Sequence, residues 1–245
     1  MTGVKDFDLA MDNGVRGGEL ITISGQSGHG KTSFALWLTK QIANSGVPIL
    51  WFTYEMNPWY LKEKFVKMGV DLTNLPVYVP IQHSENTINW IKNKILETIE
   101  RYASKVIFID HLHYLIPPEQ EMNISLLIGG IVRKLKNLAV ETDTVIYLIA
   151  HMRKLSMGEK VDINAVRDSG LIVNESDYVY LVERLKRKEK KGKLEEENPF
   201  FEQETNIAKI QLSKNRRTGR LFFRLFRVEE QNFSEVESEE YSQYV

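Results

Sequence analysis

Residues 25–32 read Gly25-Gln26-Ser27-Gly28-His29-Gly30-Lys31-Thr32, with Ser33 following. The spacing satisfies G-x-x-x-x-G-K-[ST], and it falls between an apolar run expected as a strand and a segment of helical periodicity. Glycines at these positions let the backbone curl so that successive N–H groups point at phosphate oxygens. A helix starting at the end of the loop adds a favourable field for an anion. Lys31 is long enough to reach β- and γ-phosphates, and the Thr32 hydroxyl suits Mg²⁺. Gly25 to Ser33 are therefore the expected nucleotide-binding residues, with ATP and Mg²⁺ as cofactors. A glycine-rich turn that binds nothing is the alternative, and the strand–loop–helix context argues against it.

Three further polar residues each end an apolar run. Asp110 closes V-I-F-I-D, where a carboxylate can hold the Mg²⁺ water shell near Thr32, or merely cap a turn. Glu55 closes W-F-T-Y-E, 24 residues after Lys31. It can orient and deprotonate an attacking water, or be a solvated strand-end acid. His151 closes V-I-Y-L-I-A-H and can sense a γ-phosphate by hydrogen bonding, or be structural.

These residues need a scaffold that brings strand tips together. Strands are expected at 19–24, 48–54, 77–81, 105–110, 144–151, 178–183, 206–213 and 221–228. Helices are expected at 32–43, 58–69, 84–102 with Ser84 as N-cap, and 124–142. Helix 58–69 takes Trp59, Leu61, Phe65 and Met68 as its apolar members. Alternating strands and helices imply right-handed crossovers and a mostly parallel sheet. The last three strands, joined without helices, are expected as an antiparallel edge. In a parallel sheet the carboxyl ends gather on one edge, beside the phosphates. The expected domain spans 14–228, after a lead-in at 1–13. A charge-rich flexible hairpin insertion is expected near 185–205, and a disordered tail with six glutamates at 229–245.

Composition bounds the rest. The chain has 245 residues, 42% hydrophobic, enough for a sheet covered on both faces. A net charge of −1 means that nucleic-acid contact must come from local patches or from surfaces repeated in an oligomer. No cysteine is present, which excludes disulfides, Cys-based zinc sites and a thiol nucleophile, and fits a reducing, cytoplasmic setting. There is no run of about 18 apolar residues and no signal-peptide pattern, so no membrane association is expected.

Several stretches together resemble the DnaB-like ring helicases, especially the helicase half of phage primase–helicases and of the mitochondrial Twinkle helicase. They are G-V-R-G-G-E-L-I-T-I-S-G-Q-S-G-H-G-K-T-S-F (14–34), W-F-T-Y-E-M (51–56), I-F-I-D-H-L (107–112), Y-L-I-A-H-M-R (147–153), V-R-D-S-G-L-I (166–172) and K-N-R-R-T-G (214–219). They lie in family order across most of 14–228. The resemblance implies a RecA-like P-loop NTPase fold: an α/β, mostly parallel twisted sheet flanked by helices, with antiparallel edge strands. It implies Glu55 as catalytic base, Asp110 as the Mg²⁺-associated carboxylate and His151 as the link from γ-phosphate to DNA. Lys214 and Arg216 match the K-x-R pair that this family supplies to the neighbouring subunit's nucleotide, with Arg216 as arginine finger. By composition alone the pair is a basic turn on a solvated hairpin. The loops after Asp110 and His151 (roughly 111–123 and 152–171) are implied to touch single-stranded DNA through backbone N–H groups and through Arg153, Lys154, Lys160 and Arg167. Arg167 has a second reading, as a structural ion pair in the R-D-S-G turn.

By the same resemblance the partners are single-stranded DNA, copies of the chain in a hexameric ring, and a primase or other replisome protein. The expected activity is ATP-driven 5′→3′ translocation with duplex unwinding, in a phage or bacterial setting. The competing readings are a RecA/RadA/KaiC-like DNA-dependent ATPase and a nucleotide-switched loader that does not unwind. The chain departs from the family in two respects. It begins only about a dozen residues before the matching region, whereas full-length relatives carry an N-terminal primase or primase-binding domain and a linker helix. Where the family often has Gln after the strand-end Asp, this chain has His111, with His113 close by.

Overall fold

A computed structural model describes residues 4–81, 87–116, 124–155, 159–166, 169–190 and 200–243. The strands are β1 Leu20–Gly25, β2 Ile49–Thr53, β3 Val77–Tyr78, β4 Val106–Asp110, β5 Val145–His151, β6 Tyr178–Lys190, β7 Phe200–Asn215, β8 Phe222–Glu229 and β9 Asn232–Glu235. The helices are α1 Lys5–Ala10, α2 Lys31–Asn44, α3 Pro58–Lys67, α4 Ile88–Tyr102, α5 Ile124–Thr142 and α6 Ser169–Glu175. All strands join one sheet in the order β3-β2-β4-β5-β1-β6-β7-β8-β9. The six from β3 to β6 run parallel, and β7 to β9 continue antiparallel. The α/β fold with antiparallel edge strands is thus the observed one, with β6 still parallel to β1.

The central strands are apolar on both faces because both are covered. Ile21, Ile23, Trp51, Phe108, Tyr147 and Tyr180 share one core with residues of α1, α2 and α3. Leu50, Phe52, Ile107, Ile109, Ile146 and Leu148 share the other with α4, α5 and α6. Register aligns Trp51, Phe108 and Tyr147 across three strands. Their rings stack at 5.1 and 4.6 Å with interplanar angles of 5° and 7°. Such packing leaves little freedom for the strands to slide, so the tips of β2, β4 and β5 are held in fixed relation.

Four expectations need correction. The lead-in at 1–13 contains α1, whose Phe7 is fully buried against Tyr180, Phe222 and Phe226. The hairpin near 185–205 is present, and it is more than a flexible insertion. β6 runs on to Lys190 and β7 begins at Phe200, with backbone pairing from Lys186↔Glu204 to Lys190↔Phe200. Local charge hides this ladder, because backbone pairing carries no side-chain signature in a charge-rich stretch. The acidic tail at 229–245 is ordered over much of its length. β9 pairs with β8, and a 3₁₀ turn follows at Ser238–Gln243. Trp59 is 66% exposed, so α3 buries Leu61 and Phe65 without it. Ser84 lies outside the described residues. Helix α4 begins at Ile88, and the Thr87 side chain caps it by accepting from Trp90 N.

Phe233 explains the ordered tail. It is 6% exposed and packs on Phe34, Trp37 and Phe226 at ring distances of 5.7, 5.7 and 6.1 Å. Phe233→Ala should cost about 3 kcal/mol. Urea unfolding would measure this, and a loss below about 0.5 kcal/mol would mean that β9 is not part of the cooperative fold.

Candidate active site

The phosphate loop is shaped at two glycines. Gly28 and Gly30 have φ of 81° and 95°, a region costly for residues with a Cβ. Gly30 is the N-cap of α2, so Lys31 and Thr32 open the helix. At Gly25 the constraint is space, because a Cβ would stand 2.3 Å from the Val182 carbonyl oxygen. Lys31 is 7% exposed, and its Nζ donates to Gln26 O at 3.0 Å. Burial lowers its pKa, while Glu55 and Asp110 act to raise it.

Asp110 is fully buried at the tip of β4. Its Oδ2 accepts from the Thr32 hydroxyl at 3.0 Å. Its Oδ1 is buried with no hydrogen-bond partner among the described residues. Burial pushes this carboxyl up to about 7, with Glu55 adding to the rise, against the Thr32 hydrogen bond, Lys31 and Lys64. A desolvated carboxylate oxygen beside a hydroxyl is a fitting donor set for a hard divalent cation. Thr32 and Asp110 supply that donor set.

Glu55 stands just past β2. Tyr54 N donates to Asp110 O at 2.6 Å, and the Thr53 hydroxyl donates to Met56 O at 2.8 Å, which pins this turn against β4. The Glu55 side chain is 46% exposed, with Oε2 3.7 Å from His111 Nε2. His151, at the tip of β5, has its ring 4.2 Å from that of His111. Burial, helped by His151, His113 and Lys31, holds the His111 imidazole down to about 3, so its ring is neutral. The structure thus brings Lys31, Thr32, Glu55, Asp110 and His151 to one sheet edge. Two members of this neighbourhood have no role legible in the sequence. They are His111, visible there only as a departure from a family pattern, and Lys64 on α3, which carries no local signal.

A cleft of about 680 Å³ adjoins this edge, lined by Gln26, Ser27 and the run from His151 to Leu155. Met152 N donates to Gly25 O at 3.3 Å, and Met152 also bridges Val166. Both ends of the loop after β5 are therefore tied down beside the phosphate loop. Arg153 forms an ion pair with Glu159. Lys154 and Lys160 are exposed. Arg167 lies outside the described residues.

Lys214 and Arg216 are not at this edge. Thr22 pairs with Val179, and Val179 with Lys214. Lys214 is therefore level with Thr22, about 10 Å short of Gly25 along the strand, and Arg216 is farther still. Lys214 Nζ donates to Val173 O at 2.6 Å and Asn174 O at 3.2 Å. Arg216 donates to Asn174 O at 2.6 Å and to Asp177 Oδ1 at 3.1 Å. Buried Asp177 also accepts from Lys136 at 2.6 Å and from Leu20 N at 2.8 Å. The next residues serve the fold instead. Asn215 and Thr218 donate to Ala10 O, while Arg217 pairs with Glu19 and donates to carbonyls behind α1.

No helix among the described residues is long and apolar enough to cross a membrane. Comparison with known proteins gives a consistent picture. The chain is 24% identical to the replicative DNA helicase DnaB of Treponema pallidum over 212 residues, which are 75% of this chain and 48% of that protein. It is 25% identical to DnaB of Mycoplasma genitalium over 252 aligned positions, 85% of this chain and 52% of that one. The DNA repair protein RadA of Aquifex aeolicus is 27% identical over 109 residues, 44% of this chain and 22% of RadA. The chain thus spans about half the length of the DnaB relatives. Among solved structures, a DnaB-like replicative helicase studied for its interactions with primase superimposes with a TM-score of 0.78 at 18% identity, covering 97% of this chain and 62% of the other. A second solved structure, of an ATPase domain, gives a TM-score of 0.77 at 18% identity, covering 97% of this chain and 91% of that domain. The fold is that of RecA-like helicase ATPase domains. The model of the KaiC ATPases matches residues 1–173, and the chain belongs to that family of ATPases.

Proposed function

We propose that this chain is the ATPase domain of a DnaB-type replicative helicase, which uses ATP and Mg²⁺ to move 5′→3′ on single-stranded DNA as a hexameric ring and so parts a duplex. One observation carries the reading. The phosphate loop, Glu55, Asp110 and His151 share one sheet edge, while Lys214 and Arg216 stand at the opposite edge. A single chain therefore cannot bring its own Arg216 to its own nucleotide. Head-to-tail packing of copies does so at each interface, and it forms a ring where the rotation between neighbours closes.

In this mechanism the loop of Gly25–Ser33 cradles the phosphates, and Lys31 neutralises charge between β- and γ-phosphates. Thr32 and Asp110 hold Mg²⁺, which supplies a Lewis acid for the phosphoryl oxygens. Glu55 orients the water and takes its proton as the water oxygen bonds to the γ-phosphorus, while the bond from that phosphorus to the β–γ bridging oxygen breaks and its electron pair leaves with ADP. The neighbour's Arg216, with Lys214, stabilises the charge on the transferring group. His151 reports γ-phosphate loss to the loop at 152–171, whose Arg153, Lys154, Lys160 and Arg167 grip DNA phosphates. The architecture shared with a helicase studied for its interactions with primase makes a primase the proposed replisome partner.

ATP hydrolysis should rise with single-stranded DNA, and a forked duplex with a 5′ tail should be unwound. Absence of unwinding when mass photometry shows hexamers with ATP analogue and oligonucleotide would overturn the reading. Filaments in place of rings by electron microscopy would favour the RadA-like alternative, and DNA-independent binding without turnover a loader. His151→Ala should keep basal hydrolysis within about threefold but lose about 5–10-fold stimulation by DNA. Equal stimulation in the variant would remove His151 from the coupling path.

A further inference from the structure

We propose that Glu55, His111 and His151 form a chelating site for a divalent transition-metal ion of the Zn²⁺ class, and that an ion bound there arrests hydrolysis. The three residues rise from adjacent strand tips. Thr53 of β2 is opposite Asp110 of β4, which is opposite Ile149 of β5. Glu55, His111 and His151 each lie one or two residues beyond that row. Neighbouring strands are about 4.8 Å apart, so side chains leaving three tips in a row converge without any loop rearrangement. One ligand atom from each lies within 4.8 Å of the other two.

The spacing suits a small ion. Donors at about 2.0–2.1 Å from zinc in tetrahedral arrangement stand about 3.4 Å apart. Glu55 Oε2 and His111 Nε2 are already at 3.7 Å. His111 is buried, which fixes the ring. An ion at Nε2 moves the ring proton to Nδ1 in exchange for the 3.3 Å hydrogen bond that Nδ1 accepts from His113 N, while half-exposed Glu55 has the freedom to close the remaining gap. Two imidazoles and one carboxylate favour Zn²⁺, Co²⁺, Ni²⁺ or Cu²⁺ over Mg²⁺, which demands oxygen ligands in an octahedron. The Mg²⁺ position at Thr32 and Asp110 is thus a separate site with different chemistry.

An ion held by Glu55 occupies the carboxylate that is proposed to take the proton of the attacking water. ATP stays bound while turnover stops. This consequence rests on Glu55 being the base, whereas metal binding does not.

The two parts are tested separately. Nucleotide-free protein is titrated with Co²⁺, whose visible absorption distinguishes four- or five-coordinate nitrogen–oxygen sites from the aqueous ion. Wild type should take up one ion per chain with strong bands, and His111→Gln and His151→Gln should each lose them. Glutamine keeps a polar, hydrogen-bonding end of similar reach to the imidazole, so both variants should fold, and urea unfolding checks that they do. Identical spectra in wild type and His111→Gln, or weak octahedral bands only, would overturn the site. Hydrolysis is then followed in excess Mg²⁺ with added Zn²⁺. Wild type should be inhibited and a chelator should restore it. His111→Gln should need about 10–100-fold more Zn²⁺, since losing a ligand costs at least as much as losing its hydrogen-bond support. Co²⁺ binding that depends on His111 without any inhibition by Zn²⁺ would overturn the arrest and count against Glu55 as base.

Discussion

Glu55→Gln is expected to slow ATP hydrolysis by about 10²–10⁴-fold while nucleotide affinity changes little. The amide keeps the size and the hydrogen bonding of the side chain but cannot take a proton. Because Glu55 is half-exposed and carries no part of either core, the variant should unfold at the same urea concentration as wild type. The same substitution gives the sharpest test of the ring. Arg216→Ala should lose about 10³-fold in rate, and its deficit lies at the opposite sheet edge. Mixed in equal amounts, the two inactive variants should regain activity at roughly a quarter of their interfaces, those where an intact Glu55 faces an intact Arg216. Single-turnover measurements with titrated mixtures would show this. A mixture no faster than its components would mean that Arg216 is not supplied across an interface, and the head-to-tail arrangement would be lost with it.

Asp110→Asn is expected to abolish turnover and yet stabilise the metal-free protein. The carboxyl is buried, one oxygen has no hydrogen-bond partner among the described residues, and its pKa is pushed from 3.8 up to about 7. Between those values the folded chain binds more protons at this site than the unfolded chain. Stability at this group therefore falls as pH rises from about 4 to 7, and the full penalty is present above 7. A change of that size converts to at most about 4 kcal/mol, and roughly half is expected once the Thr32 hydrogen bond, which the amide of the variant also accepts, is counted on both sides. The gain of Asp110→Asn over wild type should thus be about 2 kcal/mol at pH 8 and nearly absent at pH 4. Neutral His111 acts oppositely, since its lowered pKa costs stability in acid, but it is common to both proteins and largely cancels. Urea unfolding at the two pH values, without nucleotide or divalent metal, measures the difference. Hydrolysis with Mg²⁺ should fall by about 10²–10³-fold, because the amide is a poor ligand for a hard cation. A variant less stable than wild type at pH 8 would show that Asp110 is already compensated within the chain.

The trade between stability and function at Asp110 locates the strain of the fold. The apolar strands and the stacked Trp51, Phe108 and Tyr147 hold the tip of β4 firmly enough to keep a carboxylate where water does not reach it. Burial in the two cores thus maintains the proposed Mg²⁺ ligand at a cost in stability.

The parallel sheet, the phosphate loop and the carboxylates at strand ends were determined by the sequence alone, because each is written in neighbouring residues. An apolar run ending in Asp, Glu or His is a local pattern, and a parallel sheet gathers such ends whatever the loops between them. Three features belong to the tertiary structure. Helix α1 and strand β9 have weak local signals, and they are decided by Phe7 meeting rings of β6 and β8 and by Phe233 meeting rings of α2 and β8. The long ladder of β6 and β7 follows from backbone pairing, to which a charged sequence is blind. The approach of His111 to Glu55 and His151 joins three chain segments through strand register, and no spacing along the chain encodes it. Sequence specifies which groups stand at the ends of strands, and only the order and register of those strands decide which of them meet.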